Sequence, residues 1–312
     1  MVVDGQIQST DTTDFQVANR MRPVQRMRIE SKGGTRRTDL TAPATFSKFM
    51  KSGRRNGPRA SECGANFAYE QDMDLKTTSH PLNGFLSALS ADDFELVRPH
   101  LRTIALEQEM VLIEAGETLT RAFLPHQGVI SLVVNLAKGE RVQAAMIGRD
   151  SIFGAFSAFG DQIALDNAVV LVPGAASTLD LDRLRAAAEQ SSNIRSLLVR
   201  HGLAIHAQIL HTAGCNAVHT VESRLARCLS QTHDLSGDFR LDLTQEALAQ
   251  MIGAHRNSVS LVASTLQQSN FIRYSRGRID ITNLDGLRTT ACECYPVVKA
   301  QYERLLRVRS PH

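Results

Sequence analysis

The sequence predicts an α+β fold in which a strand domain of barrel or jelly-roll type, a long helix and a helix-turn-helix with a β-hairpin wing follow one another. Three observations predict this order. Short β-rich runs separated by glycines fill residues 80–180, a helical seam covers residues 194–215, and two short helices flank Gly253 before two further strands. A chain of 312 residues is longer than one core usually organises, so at least two domains are expected.

Composition excludes several classes of protein. No apolar run approaches the roughly 20 residues that a membrane span needs, and no signal-peptide core is found, so no membrane partner is expected. Five scattered cysteines do not form a disulfide framework, which favours a reducing, cytoplasmic location. The net charge of +3 is a cancellation, because residues 1–72 carry +4, residues 73–219 carry −4 and residues 220–312 carry +3. The basic C-terminal part could therefore meet a polyanion.

Residues 1–72 are polar and basic, and their few apolar residues follow neither a helical nor a strand period. Such a segment buries too little apolar surface to offset the entropy of ordering, so we expect a disordered basic extension. It is either an arm that touches DNA phosphates or an extension without a role. Met73 is a plausible alternative start of translation, because organised sequence begins after it.

Residues 73–182 are predicted to form the strand domain. Ser90 is expected to cap a short helix, with Asp92 and Asp93 near the positive end of its dipole. The strand candidates that follow are residues 110–113, 122–124, 129–134, 142–147 and 168–172.

Residues 183–218 are predicted to contain a long dimerisation helix. Its seam begins with Ile194, Leu198, His201 and Ile205, which are spaced by four and three residues, and the spacing continues to Cys215. The alternative is a helix that packs this seam within its own chain.

Residues 219–312 are predicted to form a winged helix-turn-helix. Thr244 caps the first helix, Gly253 ends it, and a second helix over residues 256–268 carries a buried stripe that includes Val259 and Leu266. Strands over residues 271–274 and 278–281 make the wing.

This arrangement suits double-stranded DNA, because the first turns of a helix in the major groove reach base edges. Arg256 can bind guanine, Asn257 can bind adenine, and Ser260 can reach a base. The residues expected to bind phosphates are Thr244, Ser258, Arg273, Arg276 and Arg278.

Residues 80–312 resemble the Crp/Fnr superfamily of bacterial transcription regulators. The resemblance is most specific in residues 243–260, in the Tyr-Ser-Arg-Gly-Arg-Ile segment at 274–279 and in the Cys-Glu-Cys-Tyr segment at 292–295. It implies a β-roll of cyclic-nucleotide-binding type (a double-stranded β-helix), a dimerisation helix and a winged helix-turn-helix. It also implies a homodimeric regulator that meets RNA polymerase on DNA.

The sequence departs from the family pattern in three places. Gly148, Arg149 and Asp150 mark a possible effector pocket, but Arg149 is the only arginine in the region that matches the phosphate site, so cyclic AMP is not the expected effector. Only Cys63 lies near the N-terminus, which argues against an iron–sulfur cluster. Asn257 and Leu261 stand where many members read DNA with Glu and Arg.

No catalytic motif, cofactor fingerprint or metal site is recognised in the sequence, so we expect neither an enzyme nor a cofactor or metal protein. Cys292 and Cys294 alone make a poor tetrahedral pair and are expected to be packing residues. Two alternatives remain open. One is a protein that senses a small molecule without DNA, and the other is a metal-dependent enzyme of cupin type, for which only His126 lies in the strand region.

Overall fold

The computed structural model describes residues 83–306 of the chain. The predicted extension over residues 1–72 lies outside these residues, so that prediction stays untested. The described part has the predicted α+β class, with a strand domain first, a long helix next and a winged helix-turn-helix last. The domain boundaries at residues 73, 183 and 219 stay predictions.

The first sheet is an antiparallel β-roll, with strand order β1-β5-β3-β4 and β2 paired to β5. Its strands are β1 (Arg102–Leu106), β2 (Val111–Ile113), β3 (Arg121–Asn135), β4 (Arg141–Ile147) and β5 (Asn167–Asp180).

The strand predictions for residues 122–124 and 129–134 are wrong in one respect, because both runs belong to the single strand β3. Pro125 and Gly128 interrupt the sequence pattern, but the strand accommodates them with shifts in register against β5. Gly128 has φ +83°, and a Cβ there would stand 2.6 Å from the carbonyl oxygen of Val172. A glycine that looks like a turn in the sequence is therefore a close backbone approach within the sheet.

Two short helices precede the roll, α1 (Gly84–Ser87) and α2 (Ala91–Val97). The predicted cap of α2 is confirmed, because the Ser90 hydroxyl accepts a hydrogen bond from the amide of Asp93.

Three helices follow the roll: α3 (Leu181–Gln190), α4 (Ser192–Val218) and α5 (Val221–Ser236). Ser191 caps α4 and Thr220 caps α5, so each hydroxyl marks a point where the chain changes direction. Residues 219 and 220 form the short joint between the long helix and the C-terminal part.

The C-terminal part contains a small sheet of order β6-β8-β7, the helix pair of the helix-turn-helix and two further helices. Its elements are β6 (Arg240–Leu241), α6 (Gln245–Ile252), α7 (Arg256–Gln268), β7 (Ile272–Ser275), β8 (Arg278–Ile281), α8 (Leu284–Thr290) and α9 (Cys294–Leu306). The sequence pattern did not separate α8 and α9 from the winged part.

The described residues contain two large hydrophobic cores. One fills the roll and continues through α3 to the start of α4. The other joins α5–α8 to the outer side of the sheet through Val129, Met146 and Val172. Helix α9 packs along α4, where Tyr302 and Val298 contact Ala204. Among residues 83–306, no helix is both long and apolar enough to cross a bilayer.

Candidate functional site

The helix-turn-helix is built by two local features. The hydroxyl of Thr244 accepts a hydrogen bond from the amide of Ala247 and starts α6, as predicted. Gly253 ends α6 in the left-handed conformation with φ +57°. The chain then turns and re-enters a helix at Arg256, and Val259, Ala263 and Leu266 of this helix are buried as predicted. The opposite face of α7 is thereby turned away from the core.

The N-terminal end of α7 differs from that of α6 in charge. Helix α6 has a capping side chain and Glu246 in its first turn, whereas α7 has no side-chain cap bond and no acidic residue in its first turn. Arg256 adds a cation there, and Arg256 and Asn257 are both exposed. Since the first amides of a helix and its dipole attract anions, this end is suited to a negatively charged partner.

Ser260 is the third residue predicted to read a base, and Leu261 lies next to it on the same helix. Ser260 donates its hydroxyl hydrogen to the Arg256 carbonyl 3.0 Å away, which leaves only its oxygen to accept a bond from a base. Leu261 is 71% exposed beside it. An exposed leucine on this face matches a thymine methyl group better than a phosphate.

The wing is a tight hairpin between β7 and β8. Arg276 and Gly277 form its turn, with φ of +52° and +78°, and positive φ at both central residues is characteristic of a type I′ turn. Among the ion pairs of the described residues, Arg278 is paired with Asp242 at 3.0 Å, whereas Arg273 and Arg276 form none. Arg273 and Arg276 are therefore more available to a partner than Arg278 is.

The dimer seam predicted for α4 has to be corrected. Ile194, Leu198, His201 and Ile205 are buried within the chain against the core of the roll. The His201 imidazole accepts a hydrogen bond from the amide of Ile152 at 2.8 Å, and burial lowers its pKa to about 4. These side chains close the fold of one chain and are not available to a second copy, as in the alternative interpretation of this helix.

A second seam lies on the opposite side of α4, displaced by one or two residues and therefore by roughly 100–200° around the helix. Its positions are all exposed and are again spaced by three and four residues: Ser196, Val199, Leu203, His206, Leu210, Ala213 and Ala217. The exposed Phe156 ring adjoins this face and lies against Gly202, where a Cβ would collide with the ring. The sequence pattern does not tell this face from the buried seam, because both carry apolar side chains at three- and four-residue spacing.

The segment at 148–150 does not point into the roll. Gly148 packs against Leu235 of α5, and the Arg149 amide donates a hydrogen bond to the Leu235 carbonyl. Arg149 and Asp150 instead line a cavity of about 560 Å³ beside the roll, between α4, α5, α8 and α9. Its other wall is formed by α8 and α9, which the sequence pattern does not separate from the winged part.

The cavity is strongly polar on one side. The Asp234 carboxylate accepts hydrogen bonds from Arg288 at 2.6 Å, from the Tyr295 hydroxyl at 2.6 Å and from Lys299 at 2.8 Å. Burial acts to raise the pKa of Asp234, but these three donors hold it below its ordinary value. Burial raises the pKa of Asp150 across the cavity, and its Oδ1 has no partner among the described residues.

The roll itself offers no buried cation within residues 83–190, since every lysine and arginine there is exposed or only partly buried. Arg185 is committed to the carbonyl oxygens of Ala158 and Gly160. Burial lowers the pKa of His126, whose Nε2 lies 2.8 Å from the Ser177 hydroxyl. The interior is therefore better suited to neutral groups than to a phosphate.

The surroundings of Cys292 and Cys294 could not be predicted from the two cysteines alone. The fold brings Cys215 and His219 from the end of α4 next to both thiols. Burial acts to raise the pKa of Cys215, but Arg227 and hydrogen bonds from His219 and Cys292 lower it below its ordinary value. Only the spacing of Cys215 and His219, one helical turn apart, could have signalled this group.

Two segments of the chain match two known domain families. Residues 103–191 match the cyclic nucleotide-binding domain, and residues 223–290 match the Crp-like helix-turn-helix domain. No curated protein sequence matches the chain.

Solved structures share the fold. A protein described as a regulator of the Crp/Fnr family from Eubacterium rectale has 15% identity, with 67% of this chain and 98% of that chain covered and a TM-score of 0.53. FixK2 from Bradyrhizobium japonicum has 14% identity, with 62% and 98% covered and a TM-score of 0.53. Both matches support the predicted order of domains. With a cyclic nucleotide-binding domain followed by a Crp-like helix-turn-helix, the chain belongs to the Crp/Fnr superfamily of transcriptional regulators.

Proposed function

We propose that the protein is a sequence-specific regulator that binds DNA as a homodimer and meets RNA polymerase there. The observation that carries the proposal is the start of α7, where an exposed Arg256 and Asn257 stand at an uncapped helix end without acidic neighbours. A charge of this kind at a helix N-terminus is unfavourable for the isolated helix, which favours a role toward an anionic partner.

In this proposal Arg256 binds guanine through two hydrogen bonds and Asn257 binds adenine in the same way, with Ser260 accepting a further bond from a base. Thr244, whose hydroxyl can still donate its hydrogen, and Ser258 contact phosphates at the helix ends. Arg273, Arg276 and Arg278 contact the backbone through the wing. Arg278 does so only by sharing its charge with Asp242, so we expect Arg276 to contribute more.

The homodimer forms through the exposed seam of α4, which runs from Ser196 to Ala217, rather than through the buried seam. Seven positions at alternating three- and four-residue spacing fit the contact between two long parallel helices. Leu203 and Leu210 lie near its middle and supply most of the apolar area. A second copy is the natural occupant, because a self-complementary stripe along one helix satisfies two-fold symmetry.

The effector is not cyclic AMP in this proposal. The lack of a buried cation in the roll supports this, because an anionic phosphate placed there would stay unpaired. The cavity lined by Arg149 and Asp150 is the better effector site, and Gly148 serves it only by allowing the close packing on α5.

Selection of bound fragments from random DNA, with and without cyclic AMP, tests the proposal. We expect enrichment of an inverted repeat whose half-sites are about one DNA turn apart, with no effect of cyclic AMP. A protein that senses a small molecule without DNA would enrich no sequence. If the protein bound DNA only in the presence of cyclic AMP, the proposal about the effector would be wrong, but the proposal of DNA binding would stand.

A further inference from the structure

Three cysteines and one histidine meet at the joint between the long helix and the C-terminal part. Cys215 belongs to the last turn of α4, and His219 follows directly after this helix. Cys292 and Cys294 lie where α8 gives way to α9. The group therefore connects segments that are more than seventy residues apart in the chain.

The four ligand atoms are close enough together to surround one metal ion. The Sγ atoms of Cys215 and Cys292 are 3.5 Å apart, Cys294 Sγ is 3.7 Å from His219 Nδ1, and all four atoms lie within 4.8 Å of one another. A tetrahedral Zn²⁺ with bonds of about 2.3 Å to sulfur and about 2.05 Å to nitrogen separates two sulfurs by about 3.8 Å and sulfur from nitrogen by about 3.6 Å. The group is too compact for a four-iron cluster, whose ligands bind four different metal atoms.

The histidine is held in the orientation that a metal ligand needs. While Nδ1 of His219 faces Cys294, its Nε2 lies 3.0 Å from the Glu293 carboxylate. A carboxylate that accepts a hydrogen bond from Nε2–H fixes the tautomer of the ring. Nδ1 then carries no hydrogen and is free to bind a metal.

A buried cation beside the thiols supplies an independent argument. Arg227 is almost fully buried and lies next to Cys215 and Cys292, and its Nε and Nη2 atoms have no hydrogen-bond partner among the described residues. It forms no ion pair with any carboxylate in residues 83–306. A guanidinium in such a place is costly unless a negative charge lies nearby. Three thiolates and a neutral imidazole around Zn²⁺ carry one net negative charge and would balance it.

We propose that Cys215, His219, Cys292 and Cys294 bind one structural Zn²⁺ ion that fixes the joint between α4 and the C-terminal helices. The three thiols lose their protons to solvent as the metal binds, and no oxidant or reductant takes part. All four coordination positions are filled by protein, so the site is structural and not catalytic. The proposal is independent of DNA binding and of the effector.

Metal analysis of the purified full-length protein tests the proposal. After reduction, incubation with Zn²⁺ and gel filtration, we expect one Zn²⁺ per chain. Replacement by Co²⁺ should give the intense visible bands of a tetrahedral ion together with a sulfur-to-cobalt charge-transfer band. Both signals should be lost in Cys294→Ser and weakened in His219→Ala, a change at a partly exposed position that the fold should tolerate.

Cys228→Ser is the matched control. Cys228 is also buried and also lies beside Arg227, but it belongs to α5 and lies outside the four-residue group. It should keep the full metal content and the cobalt spectrum. The proposal is wrong if reduced wild-type protein retains no Zn²⁺, if Co²⁺ gives only the weak bands of an octahedral ion, or if Cys228→Ser loses as much metal as Cys294→Ser.

Discussion

Arg256 and Arg276 are both exposed arginines, but they lie at different places in the winged part. Arg256 starts the helix that faces outward from the helix-turn-helix, and Arg276 lies at the tip of the wing. We expect Arg256→Ala to cost about 1–3 kcal/mol on the preferred site and to relax base preference at one position of each half-site. Repeating the selection from random DNA with the variant measures this. An equal loss of affinity for all DNA sequences would contradict the role of Arg256 in reading a base.

Arg276→Asn should weaken binding to all sequences alike and reduce the slope of affinity against salt by about one for each subunit. Asparagine removes the charge but tolerates the positive φ of 52°, so the turn should persist. Titration of specific and unrelated DNA at several salt concentrations is the measurement. A change in base preference without a change in the salt slope would count against this role.

His201 makes the stability of the chain depend on pH. Burial lowers its pKa from 6.5 in the unfolded chain to about 4 in the folded one. Below pH 6.5 the unfolded chain therefore binds a proton that the folded chain does not, and the free energy of unfolding falls as pH falls toward 4. The full effect is roughly 3 kcal/mol. Urea unfolding at several pH values measures it.

His201→Gln keeps an acceptor for the Ile152 amide but does not titrate, so its stability should fall less between pH 6.5 and 4. The exposed His100→Gln should keep the wild-type dependence. If His201→Gln and the wild type lose the same stability, His201 is not the group that senses acid.

Helix α4 has two seams with different tasks, the buried one for the chain's own core and the exposed one for the proposed dimer. Leu203→Glu places a charge on the exposed seam and should shift the protein from dimer to monomer, since an unpaired charge in the contact is costly. Sedimentation measures the mass. Leu136→Glu is the control, because Leu136 is as exposed as Leu203, at 49% against 51%, but lies in the turn after β3. A dimer that survives Leu203→Glu would contradict the exposed seam.

The turn between α6 and α7 depends on its glycine. Gly253→Ala should destabilise the protein by about 1–2 kcal/mol, because an L-residue pays this cost in the left-handed region. A Cβ there would stand 3.4 Å from Val142 and 3.5 Å from Asn216, which are ordinary contacts, so crowding adds little. Gly160→Ala, with open space around it and no positive φ, should be close to neutral. Thermal unfolding of both variants separates the cost of the left-handed backbone at residue 253 from the general effect of replacing a glycine by alanine.

The elements that sequence could predict are those with a local cause. Helix α7 has the predicted bounds because its buried stripe and the glycine before it are local signals. Two other features depend instead on residues distant in the chain. Strand β3 is continuous because Gly128 lies against the backbone of Val172, and the seam of α4 is buried because Ile194 packs against the roll. The group formed by Cys215, His219 and the later cysteines is of the same kind, since no local pattern joins residues so far apart.

For the whole molecule, the winged part and the β-roll are connected by packing and by the joint at residues 219 and 220. The second core continues from the helix-turn-helix into the outer face of the roll. The cavity at Arg149 lies between the roll and the C-terminal helices, and the cysteine group lies where α4 meets the segment between α8 and α9. A ligand in the cavity would therefore act on the position of the reading helices, provided that it favours one arrangement over another.

In the proposed complex, two copies of the chain read two half-sites on one face of DNA. The decisive measurement is the affinity for the selected operator and for versions with about 5 or about 10 base pairs inserted between the half-sites. We predict a large loss of affinity for the half-turn insertion, because the second half-site then faces the opposite side of the duplex, and a smaller loss for the full turn. An affinity that does not change with the half-turn insertion would contradict it.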